Sequence, residues 1–274
     1  MKYTIESLKY IFKNFLYIFP FAVLPAICLA LSLDEPSMKA VLTSFFTGSP
    51  EGSFVEIFCS VSFFNFRSVG VFFAGLAGFC SLVVCVSLLM AVLEKHMRIG
   101  KRTFNGIFSK LNDNLVSTFG MCILFFLIYE LWALISSALL FLVFMIPSNA
   151  VLYILSVLLY FGSQFVLLYL IALIYLWLPC LQITGFRAFE ALEYSYQLVA
   201  PVKLRVIFEQ FISIVLSQIL ISLCVIFLPQ RIWAFIVATL LYLFMILIFC
   251  VRMQVVYFDR AQLDRADLKK YYHV

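Results

Sequence analysis

The sequence predicts an all-α integral membrane protein: six transmembrane helices as three parallel hairpin units, each preceded by a cytoplasmic amphipathic helix. Three observations carry that expectation. Hydrophobic residues make up 65% of the chain and charged ones 12%; six long apolar runs follow one another; and basic residues gather on one side of those runs. Soluble globular proteins hold roughly 45–50% apolar and 25% charged residues. A soluble fold of 274 residues leaves too much of its surface wet to hide such an excess. A soluble enzyme, a disordered chain, a secreted disulfide scaffold and a nucleic-acid binder all fit this composition poorly.

A helix needs about 20 mainly apolar residues to cross a hydrocarbon core of roughly 30 Å. Such runs occupy residues 15–33, 68–93, 118–146, 151–178, 206–228 and 232–251. Pro36, Pro50, Pro147, Pro179, Pro201 and Pro229 fall at or between their ends. Pro20 and Pro25 lie inside the first run and are expected to kink it, leaving carbonyls for neighbouring helices or water to satisfy. That run follows a basic stretch, as a signal peptide would. It is too long, holds two prolines and lacks a small-x-small cleavage site before Asp34, so retention is expected. Ile27 before Cys28 argues against lipoprotein processing.

Basic residues orient the runs. Sixteen of the nineteen fall on one side: Lys2, Lys9 and Lys13; Lys95, Arg98, Lys101, Arg102 and Lys110; Arg187, Lys203 and Arg205; Arg252, Arg260, Arg265, Lys269 and Lys270. Only Lys39, Arg67 and Arg231 fall on the other. Cations stay cytoplasmic during insertion, so both termini are expected in the cytoplasm of a cell (plasma) membrane protein. The formal charge of +5 then faces anionic headgroups at the inner rim.

Each connection entering an outward-going run carries an amphipathic pattern. Ile5, Leu8, Phe12 and Phe15 precede the first run, Phe104, Ile107, Leu111 and Leu115 the third, and Phe189, Leu192, Tyr196 and Val199 the fifth. Steps of three and four residues mark a helix with one face in apolar material. The repeating unit is therefore an amphipathic helix, a span out and a span back, with one orientation throughout. A single polytopic domain over 1–274 results, with units at about 1–98, 99–183 and 184–258 and a cytoplasmic tail at 259–274.

The outer segment 34–67 is long and aromatic, with Phe45, Phe46, Phe54, Phe58, Phe63, Phe64 and Phe66 around Gly48, Pro50, Glu51 and Gly52. Either it lies in the outer headgroup layer or over the bundle mouth, or the second span begins early, near Phe54. The other outer turns, Pro147-Ser148-Asn149-Ala150 and Pro229-Gln230-Arg231, are short.

The stretch Trp177-Leu178-Pro179-Cys180-Leu181-Gln182-Ile183-Thr184-Gly185 is followed by Ala188, Glu190-Ala191-Leu192, Ser195 and Leu198. It resembles an element of the bacterial YciC-like six-pass membrane proteins, and of the membrane domain fused to some glycerophosphodiester phosphodiesterases. The likeness covers about 25 residues and implies six spans, cytoplasmic termini and pre-span helices. That group has no established activity, and nothing here matches a phosphodiesterase catalytic domain.

Candidate chemistry is sparse. Glu130 is the acidic residue deep inside a span, where carboxyls are costly and functional by default. Gln164, Gln218 and Tyr129 are its candidate partners. The structural version is a protonated carboxyl tying helices together; the functional version is a proton or headgroup contact. Gly70, Ala74 and Gly78 recur every four residues and let two helix backbones approach, within the bundle or between two copies. Glu209 is expected to pair with Arg205, and Arg252 with Asp259, at the cytoplasmic ends of spans. Eight cysteines form no C-x-x-C, and His96 and His273 have no ligand-like spacing, so no metal site or cofactor is expected. Most thiols read as apolar fillers; Cys59, on the outer side, is the one with plausible redox exposure. No phosphate loop, nucleophile set or carboxylate cluster appears, so no catalytic residues are assigned.

The expectation is a non-enzymatic membrane protein with a structural or accessory role. Its partners would be the lipid bilayer and another membrane protein or a second copy of itself, with no nucleic acid. The alternative is a transporter or permease subunit for a small or lipid-like substrate.

Overall fold

A computed structural model describes residues 1–47, 53–64, 66, 68–146, 149–228 and 231–268. Gly48, Pro50, Glu51, Gly52, Arg67, Pro147, Ser148, Pro229, Gln230, Lys269, Lys270 and His273 lie outside the described residues. Every regular element among the described residues is helical. The chain starts with α1 (Lys2–Ile18) and α2 (Pro20–Ser32), which meet at Phe19 with a bend of 93°. Pro20 opens α2, where a missing N–H costs nothing, and Pro25 is carried within the helix. The expected kink is thus a sharp corner at the first proline.

The outer segment forms two helices, α3 (Glu35–Thr47) and α4 (Phe54–Val61). Asp34 starts α3 by accepting from Ser37 N at 3.3 Å and Ser37 Oγ at 2.7 Å. Ser53 and Glu56 start α4 by reciprocal capping. The next helix, α5 (Val69–Ile99), begins with Ser68 as its own cap, so α4 is not an early start of that span. Gly100 ends α5 at φ +78°, a left-handed conformation that a side chain would strain.

The second half contains α6 (Ile107–Phe144), α7 (Asn149–Leu173), α8 (Trp177–Thr184), α9 (Ala188–Val199), α10 (Lys203–Phe227) and α11 (Arg231–Arg260). Helix α6 is continuous from Ile107, so most of the amphipathic stretch from Phe104 to Leu115 forms its first turns and not a helix of its own. The fourth run breaks after Leu173. Pro179 sits in the first turn of α8, where the chain does not need its N–H.

Five helices are long and apolar enough to cross a membrane, and six if α1 and α2 count as one bent span. The chain is a multi-pass membrane protein. Its long helices form a closed circuit: α2 packs on α5, α5 on α6, α6 on α7, α7 on α10, α10 on α11, and α11 back on α2. Helix α8 touches α5, α6 and α11; α4 lies on α6, and α3 on α10.

Packing is uneven along this circuit. Residues 87–94 of α5, 175–182 around α8 and 250–258 of α11 are buried without interruption. A helix enclosed all round belongs in protein and not against lipid. These stretches join α1 and α9 in one large core at a single end of the molecule. At the other end, small clusters around Ile57, Phe144 and Leu152 and around Trp132, Ala133 and Leu167 hold α4 to α6 and α7.

Candidate functional site

Helix α4 ends at Val61, half-buried against α6, where its last carbonyls have no helical partner. Adjacent residues of α6 serve one of these carbonyls and the donors that follow it. The Tyr129 hydroxyl donates to Val61 O at 2.7 Å. Glu130 Oε1 accepts from Phe63 N at 2.8 Å and Phe64 N at 3.2 Å, and Oε2 accepts from Ser62 Oγ at 2.8 Å. Glu130 lies 14 residues before Phe144, the end of α6, or about 21 Å along the axis at 1.5 Å per residue. Residues 62–64 therefore run at a depth where exposed backbone polar groups are tolerated only when protein satisfies them.

Gly75 makes room for this irregular segment. A Cβ there would lie 3.2 Å from Phe63 O and 3.3 Å from Phe64 Cδ1. Gly78 faces α2, with Cys28 Cβ at 3.5 Å from an added Cβ, whereas Gly70 has nothing within 4 Å. Ala74 is half-buried. The three small residues at four-residue spacing do not share one helix contact, and Gly75, outside that spacing, makes the closest approach.

Gln164 and Gln218 meet each other and not Glu130. Gln164 Nε2 donates to Gln218 Oε1 at 3.3 Å, and the Tyr160 hydroxyl donates to the same oxygen. This links α7 to α10 through uncharged groups. An open cavity of about 310 Å³ lies elsewhere, between Ser37, Cys59 and Phe66. Cys59 is buried at the edge of this cavity, contrary to the exposure expected of it.

A second polar constellation occupies the large core. Glu209 (α10) does not pair with Arg205: its Oε2 accepts from Thr4 N at 2.9 Å and Thr4 Oγ1 at 2.7 Å, and its Oε1 lies 3.1 Å from the Met1 amine. Arg252 (α11) does not pair with Asp259 either. Its Nη1 donates to Glu209 O at 2.8 Å, Ser213 Oγ at 2.9 Å and Thr4 Oγ1 at 3.4 Å, and its Nε to Tyr175 OH at 3.4 Å. Asp259 instead receives Tyr3 OH at 2.7 Å and Lys2 Nζ at 3.2 Å. Sequence spacing suggested pairs within or near one helix; the corner at Phe19 instead folds α1 across α10 and α11, and its residues take those carboxylates. Gln210, fully buried, lies beside the Tyr175 hydroxyl without a hydrogen bond shorter than 3.5 Å among the described residues. Gln254 is likewise unpaired but lies two residues past Arg252, on the opposite side of α11.

The stretch around α8 has a local logic of its own. Ser195 Oγ, fully buried on α9, accepts from Leu176 N at 2.9 Å at the start of α8. Gln182 Nε2 donates to Ser87 O of α5 at 3.1 Å. Gly185 closes α8 at φ +71°. Among the described residues no group of three or more His, Cys, Asp or Glu side chains is placed to hold a metal. Comparison with family models, with curated proteins and with solved structures gives no match.

Proposed function

We propose that the chain is a non-enzymatic cell-membrane protein, both termini cytoplasmic, acting in a structural or accessory role through contacts with lipids or another membrane protein. One observation carries this reading. The most apolar windows of Leu115–Phe144, Ala150–Thr184 and Ala188–Phe227 are only 22%, 22% and 17% buried in the protein, against 50% for Val69–Ile99. Half of the circuit thus presents its apolar surface outward, while Glu130, Gln164 and Gln218 are spent on internal bonds.

The circuit of α2/α5, α6/α7 and α10/α11 is consistent with three parallel hairpin units, the layout that the YciC-like resemblance implies. The segments leading into each unit turn Ile5, Phe12, Phe104, Phe108, Phe189 and Tyr196 outward, which suits helices at a headgroup layer. The test is extraction in native membrane discs followed by lipid and protein analysis. Lipids or a partner enriched over the bulk membrane support the reading. A chain carrying only bulk lipid and no partner removes it.

The interrupted backbone between α4 and α5, beside Glu130, favours a second reading as a transporter or permease subunit, since discontinuous helices commonly build transport sites. In liposomes loaded with a pH-sensitive dye, a proton flux lost in Glu130→Gln would favour this alternative.

A further inference from the structure

Helix α1 loses its regularity at Asn14, whose backbone leaves the helical region (φ −121°, ψ 19°). The Asn14 amide is buried, donates to Tyr10 O at 3.1 Å, and turns its carbonyl oxygen to the loop between α5 and α6. There Arg102 binds it twice, through Nη2 at 2.7 Å and Nε at 3.1 Å, and Nη2 also donates to Lys13 O at 3.3 Å. An exposed guanidinium is thereby fixed beside Lys13 by two neutral acceptors that do not cancel its charge. Its Nη1 makes no hydrogen bond among the described residues. Lys9, Lys13 and Lys101 are exposed as well, and among the described residues none of them pairs with a carboxylate. The acidic residues of α1 and α5, Glu6 and Glu94, face Arg265 at 3.4 Å and Arg98 at 3.1 Å instead.

Apolar surface lies next to these cations. Phe12, adjacent to Lys13, is 71% exposed, and Leu16, one turn further on, is 86% exposed. Phe104, two residues past Arg102, is exposed too, with its ring centre 5.0 Å from that of Tyr17. The 93° corner at Phe19 sets α1 across the direction of α2. With α2 crossing the bilayer, α1 lies along its surface, where apolar side chains sink among acyl chains and the cations beside them stay at the phosphates.

We propose that Arg102 and Lys13, flanked by Phe12, Leu16 and Phe104, form a binding site for an anionic phospholipid. The unengaged Nη1 of Arg102 and the Lys13 ammonium take oxygens of the headgroup, since a held guanidinium loses little freedom on binding phosphate. The Phe and Leu side chains take the acyl chains. Asn14 is the positioning residue: it holds the guanidinium without neutralising it, as a carboxylate in its place would. This inference rests on the lipid contacts proposed above and makes them selective, because cations without counter-charge favour anionic over zwitterionic lipid.

The test places the full chain in discs of phosphatidylcholine and phosphatidylglycerol and reads the lipids it retains on release by native mass spectrometry. Wild type is expected to enrich phosphatidylglycerol over phosphatidylcholine, and loss of one cation to lower that ratio about fivefold, the scale of one basic residue at an anionic surface. Lys13→Gln changes an exposed side chain and leaves every bond of Arg102 in place, so it decides the matter where Arg102→Gln does not fold. Asn14→Asp keeps the acceptor of Arg102 and adds a counter-charge, and is expected to lower the ratio without lowering the total lipid bound; a residue serving the fold alone would not move the ratio. Arg205→Gln removes an exposed charge from α10 and is expected to leave the ratio unchanged. An equal ratio in wild type and Lys13→Gln, or a loss in Arg205→Gln as large as in Lys13→Gln, overturns the site. Lipid retained without this selectivity removes the site and leaves the function proposed above standing, so the two fail separately.

Discussion

Glu130 on α6 accepts the backbone N–H of Phe63 at 2.8 Å, across 67 residues of sequence, and so ties the half-buried break between two helices to a third. Removing the side chain leaves two backbone N–H groups and the Ser62 hydroxyl without this acceptor. Each buried donor left unmade costs about 1–3 kcal/mol, so Glu130→Ala is expected to lower stability by several kcal/mol. Glu130→Gln has a different outcome. Its carbonyl can keep both N–H groups, its amide can donate to Ser62 Oγ, and the Ser62 proton can go to Phe64 O, already 2.9 Å away. Thermal unfolding in detergent should therefore rank wild type close to Gln and well above Ala. Equal loss in Gln and Ala would show that the carboxylate charge matters beyond the bonds.

The same break separates two glycines that look alike in sequence. Gly75→Val is expected to cost about 1–3 kcal/mol, the range for overpacking, because its Cβ would press on Phe63 O. Gly70→Ala has open space and lies in the first turn of α5, where a glycine weakens the helix less than in its middle, so it should leave stability unchanged or raise it by less than about 1 kcal/mol. Unfolding midpoints of the two variants measure the difference directly.

How far the sequence anticipated this arrangement depends on distance along the chain. Apolar runs and their order were legible because hydropathy is a local signal. Their ends were less so. Hydropathy stops the last span near Val251, but α11 continues to Arg260 because residues 250–258 are enclosed by protein and not lipid. The Glu130 partners lie in a segment that reads as an outer loop, 66–68 residues upstream. No periodicity connects such positions. For Arg252 the missing information is the corner at Phe19, which brings Thr4 to it from 248 residues away.

The placement of basic residues yields a topology that can be checked without function. Sixteen of nineteen lie on one side of the six runs, so reporters fused to either end should be active on the cytoplasmic face only. A cysteine-accessibility probe at Lys39 should label from the opposite face. Reporters active on opposite faces would mean an odd number of spans, and the corner between α1 and α2 would then not be a crossing.

Ser195 offers a test of the stretch that carries the family resemblance. Its hydroxyl accepts from Leu176 N at the point where α7 has ended and α8 has not begun, so no helical carbonyl can serve that N–H. Both residues are fully buried, which keeps water from substituting. Ser195→Ala removes the acceptor while leaving volume nearly unchanged, and should cost about 1–3 kcal/mol as an unmade buried hydrogen bond. Ser195→Thr keeps the oxygen and adds a methyl group to a packed core, so a loss there reflects overpacking instead. Hydrogen exchange separates the two. In Ser195→Ala the amide of Leu176 should exchange faster along with the first turn of α8, while in Ser195→Thr it should remain protected. Protection of Leu176 in both variants would mean that the α7–α8 turn is held by packing alone.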